Sequence, residues 1–183
     1  MLLPILSAAQ SLPVKALNIG DTVPDITINN IINYKTTSAK LSDFKSKYII
    51  LDFWAVWCGA CISKLPALDS LQKKYEDKLS IILVNSMRRS HDSEKRIRNL
   101  VTNNWQQVYH KKFNCLVVAD SSNTFRSLFS FKVIPHYVWI DTKGVILAIT
   151  SSAEITEANI ALMLHGTKLS LPVKQDANPK TLN

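Results

Sequence analysis

The sequence predicts an α/β fold, a central mixed β-sheet flanked by helices, and three observations carry that expectation. Tyr48-Ile49-Ile50-Leu51-Asp52-Phe53-Trp54 is a short apolar run rich in β-branched and aromatic residues, the pattern of a strand covered on both faces. Behind it Ile62, Leu65, Leu68, Leu71 and Tyr75 recur at helical spacing, and Leu79-Ser80-Ile81-Ile82-Leu83-Val84 is a second apolar strand. Two buried strands joined through a helix make a right-handed βαβ unit, so the sheet is parallel there. Further on, His136-Tyr137-Val138-Trp139-Ile140 and Val145-Ile146-Leu147-Ala148-Ile149 alternate around Asp141-Thr142-Lys143-Gly144, whose turn chemistry makes an antiparallel hairpin.

The other elements follow in order. Residues 1–10, MLLPILSAAQ, are apolar and end in small residues but lack the positive start of a complete secretory signal. A disordered or packed N-terminus is one reading. The favoured one is the tail of an export signal whose beginning is missing, with Ser7 and Ala9 as the small cleavage-site residues. Residues 1–19 are then a signal remnant and leader, and the protein works in the cell envelope, in the periplasm. Residues 20–25 read as a turn, and Ile26-Thr27-Ile28 alternates like a short strand. Asn29-Asn30 and residues 33–40 suggest an extension hairpin, and Leu41-Ser42-Asp43-Phe44 a helical turn. Asp92 or Ser93 can cap an inserted helix that carries Ile97, Leu100, Val101, Trp105 and Val108 on one face. Cys115-Leu116-Val117-Val118 is a further strand. Residues 120–131 hold a short helix with Phe125, Leu128 and Phe129 inward. Thr156 opens a final helix that Gly166 terminates. Residues 167–183 show no period and are expected to form a mobile tail or linker. There are no internal repeats.

Composition narrows the function. A chain of 183 residues with 46% hydrophobic and 20% charged residues is a folded domain of ordinary size rather than a disordered segment. No stretch approaches the ~20 apolar residues of a membrane-spanning helix, so no stable membrane insertion is expected. The net charge of +8 is dispersed over pairs such as Lys45 and Lys47, Lys73 and Lys74, or Arg96 and Arg98. Dispersed charge without a groove-reading motif reads as a solvated surface, not a nucleic-acid site.

The chemistry concentrates in Trp57-Cys58-Gly59-Ala60-Cys61, placed where a central strand gives way to a helix. At a helix N-terminus the unpaired N–H groups and the dipole favour an anion, so the Cys58 thiolate, the attacking species, is stabilised. Cys61, one turn on, is close enough to close a disulfide. A structural disulfide and half a zinc site are the competing readings. Zinc needs four ligands, and His91, His110, His136 and His165 are scattered, so no metal is expected. Asp52 is an acid in an apolar strand. It is either a surface position on an edge strand or a buried carboxyl of raised pKa that takes the proton of Cys61, and its place ahead of the motif favours the second. Trp57 is read as a flat apolar contact beside the disulfide. Pro135, if cis, leaves the Ile134 backbone free to pair with an extended substrate. Cys115 reads as a buried, inert thiol. His136 has only its place beside Pro135 to suggest an influence on the thiolate.

With Asp52 on the strand before the motif, Pro66 in the following helix and Ile134-Pro135 beyond it, the chain resembles the thioredoxin superfamily. Gly20-Asp21-Thr22-Val23-Pro24-Asp25, Leu41-Ser42-Asp43-Phe44 and Phe53-Trp54-Ala55 are more specifically similar to its TlpA/ResA-type exported branch. The similarity covers residues 20–166, which implies one thioredoxin-like (redoxin) domain there. The resemblance implies thiol-disulfide exchange in the reductive direction, without organic cofactor or metal. Cys58, Cys61 and Asp52 would be catalytic, and Trp57, Gly59, Ala60, Ile134 and Pro135 would meet the substrate. Partners would be protein disulfides and a membrane-linked thiol electron donor. A peroxiredoxin-like peroxidase is a rival, but Ala55-Val56-Trp57-Cys58 lacks its Pro-x-x-x-Thr-x-x-Cys setting. A redox-inert binding module is another, and two intact cysteines argue against it. Ala60 stands where thioredoxin has proline, and its N–H is expected close to the Cys58 sulfur.

Overall fold

A computed structural model describes residues 16–122 and 124–175, and the leader expected over residues 1–19 therefore falls mostly outside the described residues. The alternation read in the sequence shapes the first hairpin, β1 (Thr27–Asn29) against β2 (Ser38–Lys40), antiparallel. A 3-10 turn over Leu41–Phe44 buries Leu41 and Phe44 and delivers the chain to β3 (Tyr48–Phe53). The hairpin extends the main sheet. Ile31 bridges to Val118, and Ile32 N donates to Val117 O at 2.9 Å.

Five strands form that sheet: β3, β4 (Leu79–Ser86), β5 (Leu116–Asp120), β6 (His136–Ile140) and β7 (Ile146–Thr150), in the order β5-β4-β3-β6-β7. β3 runs parallel to β4 and antiparallel to β6, so the parallel unit and the antiparallel hairpin meet at the central strand. β4 outlasts its apolar run by two residues, because Asn85 and Ser86 continue the ladder against Ala119 and Asp120. β5 correspondingly starts at Leu116, one residue after the expected Cys115. Alternation then builds two cores. Ile50, Trp54, Ile81, Leu83, Val117, Tyr137 and Trp139 pack on one face with both cysteines of the motif. Ile49, Leu51, Phe53, Val84, Val118 and Val138 pack on the other with Phe125 and Phe129.

Helices cover these faces. α1 (Gly59–Ile62) and α2 (Leu65–Lys74) form one helical run interrupted at Ser63 and Lys64. Pro66 explains the interruption: it has no N–H to donate to the Ile62 carbonyl one turn back. α3 (Met87–Ser90) is a single turn, after which Ser93, not Asp92, caps α4 (Glu94–Asn99) through the Arg96 N–H. A π-helical turn (Leu100–Asn104) joins α4 to α5 (Trp105–Tyr109). Its wider period keeps Ile97, Val101 and Trp105 buried in line but turns Val108 outward, 65% exposed. α6 (Thr124–Leu128) buries Phe125 and Leu128, and α7 (Glu157–Leu164) is capped by Thr156 and followed by Gly166 at φ +69.

The segment expected to trail away from residue 167 touches the domain as far as Lys174. Leu169 and Leu171 pack on the first core, Lys174 N donates to Ile149 O on the edge strand at 3.0 Å, and its ammonium reaches the Val133 carbonyl. Residues 176–183 fall outside the described residues.

Candidate active site

The sharp exit from β3 places the motif. Trp54 and Ala55 are still buried, and Cys58 is the N-cap of α1, with extended φ and ψ and its N–H on Ala55 O at 3.1 Å. Cys58 and Cys61 are joined, S–S 2.11 Å with Cα atoms 5.2 Å apart. The two sulfurs are not equivalent. Cys58 keeps 7% of its surface and its Sγ accepts the Cys61 N–H at 3.2 Å, whereas Cys61 is 0% exposed. The sequence placed a second N–H, that of Ala60, near this sulfur. Instead the third residue of the helix, Cys61, is the donor, one of the two first-turn positions whose N–H can point back at the cap. Gly59 and Ala60 are exposed, and a Cβ at Gly59 would meet nothing within 4 Å. Approach to Cys58 is open on that side.

Asp52 lies in the central strand, 0% exposed, which discards the edge-strand reading. It alternates with Ile50 and Trp54, so its carboxyl faces the core that holds the cysteine pair. Burial pushes its pKa up to about 8, against a smaller downward pull from the Tyr137 hydroxyl. Neither carboxyl oxygen nor that hydroxyl makes a hydrogen bond of normal geometry, so the Tyr137 effect is one of proximity across the ladder. Cys115 is fully buried, and burial first, then the charges of Asp69 and Asp52, push its thiol well up. A thiol so held stays protonated, as expected of an inert cysteine.

The Ile134–Pro135 peptide is cis. Ile134 packs on the core that contains both cysteines and lines, with Trp57, a cleft of about 510 Å³ beside the motif. Trp57 stands out into solvent at 59% exposure while its Nε1 donates to Ser90 O at 2.7 Å. The ring is thus exposed and pinned at one edge. His136 does not belong to the site. It pairs in register with Phe53, is buried, and stacks on Phe131 at 4.5 Å in the opposite core.

Sequence reasoning missed a buried polar clamp behind the motif. Asp92 Oδ2 accepts the Val56 N–H at 2.9 Å and the Asn85 side-chain amide at 2.8 Å. Its other oxygen lies 3.2 Å from Arg96. Ser90 Oγ donates to Asn85 Oδ1 at 2.7 Å and accepts the Asp92 N–H at 3.2 Å. The loop that presents Cys58 is thus tied at two points to the segment that follows β4, Val56 N to Asp92 and Trp57 Nε1 to Ser90, and that segment is held to Asn85 at the end of β4. A polar pair ending an apolar strand, Asn85-Ser86, was the only signal in the sequence. The partner of Val56 lies 36 residues away.

Comparison with known proteins fits this geometry. Residues 18–164 match the family described as Redoxin. The thioredoxin-like protein YneN of Bacillus subtilis (strain 168) is 32% identical over 127 residues, 69% of this chain and 68% of its own. A thiol-disulfide oxidoreductase ResA of Oceanobacillus iheyensis is 26% identical over 140 residues, 76% of this chain and 68% of its own. The pneumococcal exposed lipoprotein thioredoxin Etrx1 of Streptococcus pneumoniae shares the fold at TM-score 0.62 and 24% identity, over 78% of this chain and 99% of its own.

Proposed function

From the membership of this chain in the Redoxin family, which makes it a thiol-disulfide oxidoreductase, we propose the following division of roles. The reduced protein attacks a substrate protein disulfide with the Cys58 thiolate, forms a mixed disulfide and expels one substrate thiolate. Cys61, its proton passed to Asp52, then attacks the Cys58 sulfur, releases the second substrate thiolate and closes the Cys58–Cys61 bond. The substrate gains two electrons and the protein loses them. The observation that carries this reading is the inequality of the two cysteines: Cys58 keeps a small exposed edge, 7%, with an N–H on its sulfur, and Cys61 is sealed at 0%. An acid lifted to about 8 is well matched to a thiol, so proton transfer between them is nearly balanced. Trp57, Gly59, Ala60, Ile134 and Pro135 form the contact surface for the substrate backbone around its cysteine.

The exported branch that the motifs resemble supports an extracytoplasmic place of work, in the cell envelope and periplasm, and reduction of the spent disulfide by a membrane-linked thiol donor. No described helix is long and apolar enough to cross a membrane. Insulin reduction with dithiothreitol as donor tests the reading. Turnover is expected for the parent and none for Cys58→Ser. Consumption of peroxide without insulin reduction would replace it by the peroxidase reading.

A further inference from the structure

The roles proposed above leave one buried titratable group unused, the Tyr137 hydroxyl. Tyr137 stands directly opposite Asp52 in the β3–β6 ladder, and such cross-strand partners share a face of the sheet. Both residues are 0% exposed, in the layer that also holds Cys58 and Cys61. Neither carboxyl oxygen nor the phenol oxygen makes a hydrogen bond of normal geometry, so two polar groups face each other sealed from water. A buried Tyr hydroxyl usually has a partner, and phenylalanine would fill the layer without the cost of an unsatisfied one.

The remaining neighbours offer the acid no positive charge. On β4 the residue beside Asp52 is Leu83. Ahead of β5 stands Cys115, whose buried thiol stays protonated. Asp69 on α2 accepts from Asn114 and is paired with Lys111 at 2.8 Å. Thr150 on β7, opposite Tyr137, accepts the Trp139 Nε1–H at 2.9 Å. α1 brings Cys58 and Cys61, α7 only Ile160 and Met163, and β3 itself the indole of Trp54. Besides burial, the group that moves the Asp52 pKa is the Tyr137 hydroxyl, and it moves it down.

We propose that Tyr137 is a positioning residue for the resolving step: its hydroxyl donates to the ionised Asp52 carboxylate and holds that base ready for the Cys61 proton. The proposal rests on the reading above in which Asp52 is the base. A hydrogen bond to a carboxylate is roughly twice as strong as one to a neutral acid, so the phenol favours the form that can accept a proton.

Tyr137→Phe removes the donor and keeps the ring. The Asp52 carboxyl, followed by carbon-13 NMR in the oxidised protein, should then ionise about one pH unit higher, the worth of one hydrogen bond to a charged group. Resolution of a mixed disulfide should slow about ten-fold at pH 7, and the deficit should vanish at alkaline pH. A mere packing defect would slow resolution at every pH and leave the carboxyl midpoint in place. An unmoved midpoint overturns the inference. If the phenylalanine variant does not fold, 3-fluorotyrosine at position 137, a stronger donor, should lower the midpoint, and an unmoved one again overturns it. Asp52→Asn separates the inference from the reading it rests on. Parental resolution in that variant removes the base itself, whereas slowed resolution there with an unmoved midpoint in Tyr137→Phe removes Tyr137 alone.

Discussion

Asp52 on β3 and Tyr137 on β6 are direct cross-strand partners, both 0% exposed, on the sheet face that packs against Cys58 and Cys61. Burial raises the proton affinity of both, and they act on each other in opposite directions: the Asp52 charge adds to the rise at Tyr137, while the Tyr137 hydroxyl pulls Asp52 slightly down. Burial lifts the Asp52 carboxyl to about 8, and burial together with the Asp52 charge pushes the Tyr137 hydroxyl up as well. The carboxyl can therefore hold and release a proton near neutral pH, while the phenol beside it stays protonated.

The stability of the protein should record this acid. Below the ordinary value of 3.8 the carboxyl is protonated folded and unfolded, and its burial costs little. Between 3.8 and about 8 the unfolded chain releases the proton while the folded one keeps it, so stability falls as pH rises and the loss is complete above about 8. At about 1.4 kcal/mol per unit the loss has a ceiling on the order of 5 kcal/mol. Asp52→Asn should therefore match the parent in acid and exceed it at alkaline pH. Denaturant unfolding of the oxidised proteins across pH checks this, and parallel curves would refute it.

Catalysis should feel the same substitution at one step only. Asp52→Asn is expected to leave the attack of Cys58 near the parental rate and to slow resolution of the mixed disulfide by roughly 100-fold, the usual worth of a positioned base. Quenched-flow trapping of the mixed disulfide reads it directly. Resolution at the parental rate across neutral pH would leave Asp52 a structural residue.

In the reduced protein, alkylation at mildly acidic pH should label Cys58 well before Cys61. The N-cap position and the Cys61 N–H favour a thiolate at Cys58, and complete burial denies reagent access to Cys61. Peptide mapping after limited labelling gives the ratio, and equal labelling would remove the assignment of nucleophile.

Asp92 holds the loop that Cys58 stands on. Asp92→Ala leaves the Val56 N–H and the Asn85 amide without their acceptor, which should cost about 2 to 4 kcal/mol in urea unfolding. Asp92→Asn keeps an oxygen for those donors and gives up only the partly exposed Arg96 pair, so it should recover most of that loss. A variant as damaging with Asn as with Ala would make the charge, not the hydrogen bonds, the fastening.

The sequence showed plainly whatever repeats over a few residues. The β-branched run of β3, the helical spacing behind Cys61, the Asp141–Gly144 turn and the Thr156 cap are local patterns, and each stands where it was expected. The cysteine pair was legible because its chemistry requires a helix start. What stayed hidden depends on contacts across the chain or on a local change of period. The Asp92 clamp joins residues 36 apart. Val108 turned outward because of a π-helical turn that no apolar pattern announces. Residues 167–174 have no period, yet Leu169 and Leu171 suffice to lay them on the core.

Ala60→Pro tests how the motif sets its redox potential. Proline at this position would have lowered the potential if the Ala60 N–H served the Cys58 sulfur. The donor at that sulfur is Cys61 N, at 3.2 Å, and Ala60 is exposed in the first turn, where an N–H has no partner inside the helix. Proline there removes no bond to the sulfur and suits the start of a helix. The expected change is therefore small, less than ~10 mV, against the ~30 mV that a full hydrogen bond of about 1.4 kcal/mol would give in a two-electron couple. Equilibration of parent and variant against glutathione measures the difference. A drop of ~30 mV would mean that the Ala60 N–H does reach the thiolate once the disulfide opens, and that reduction reorders the first turn of α1.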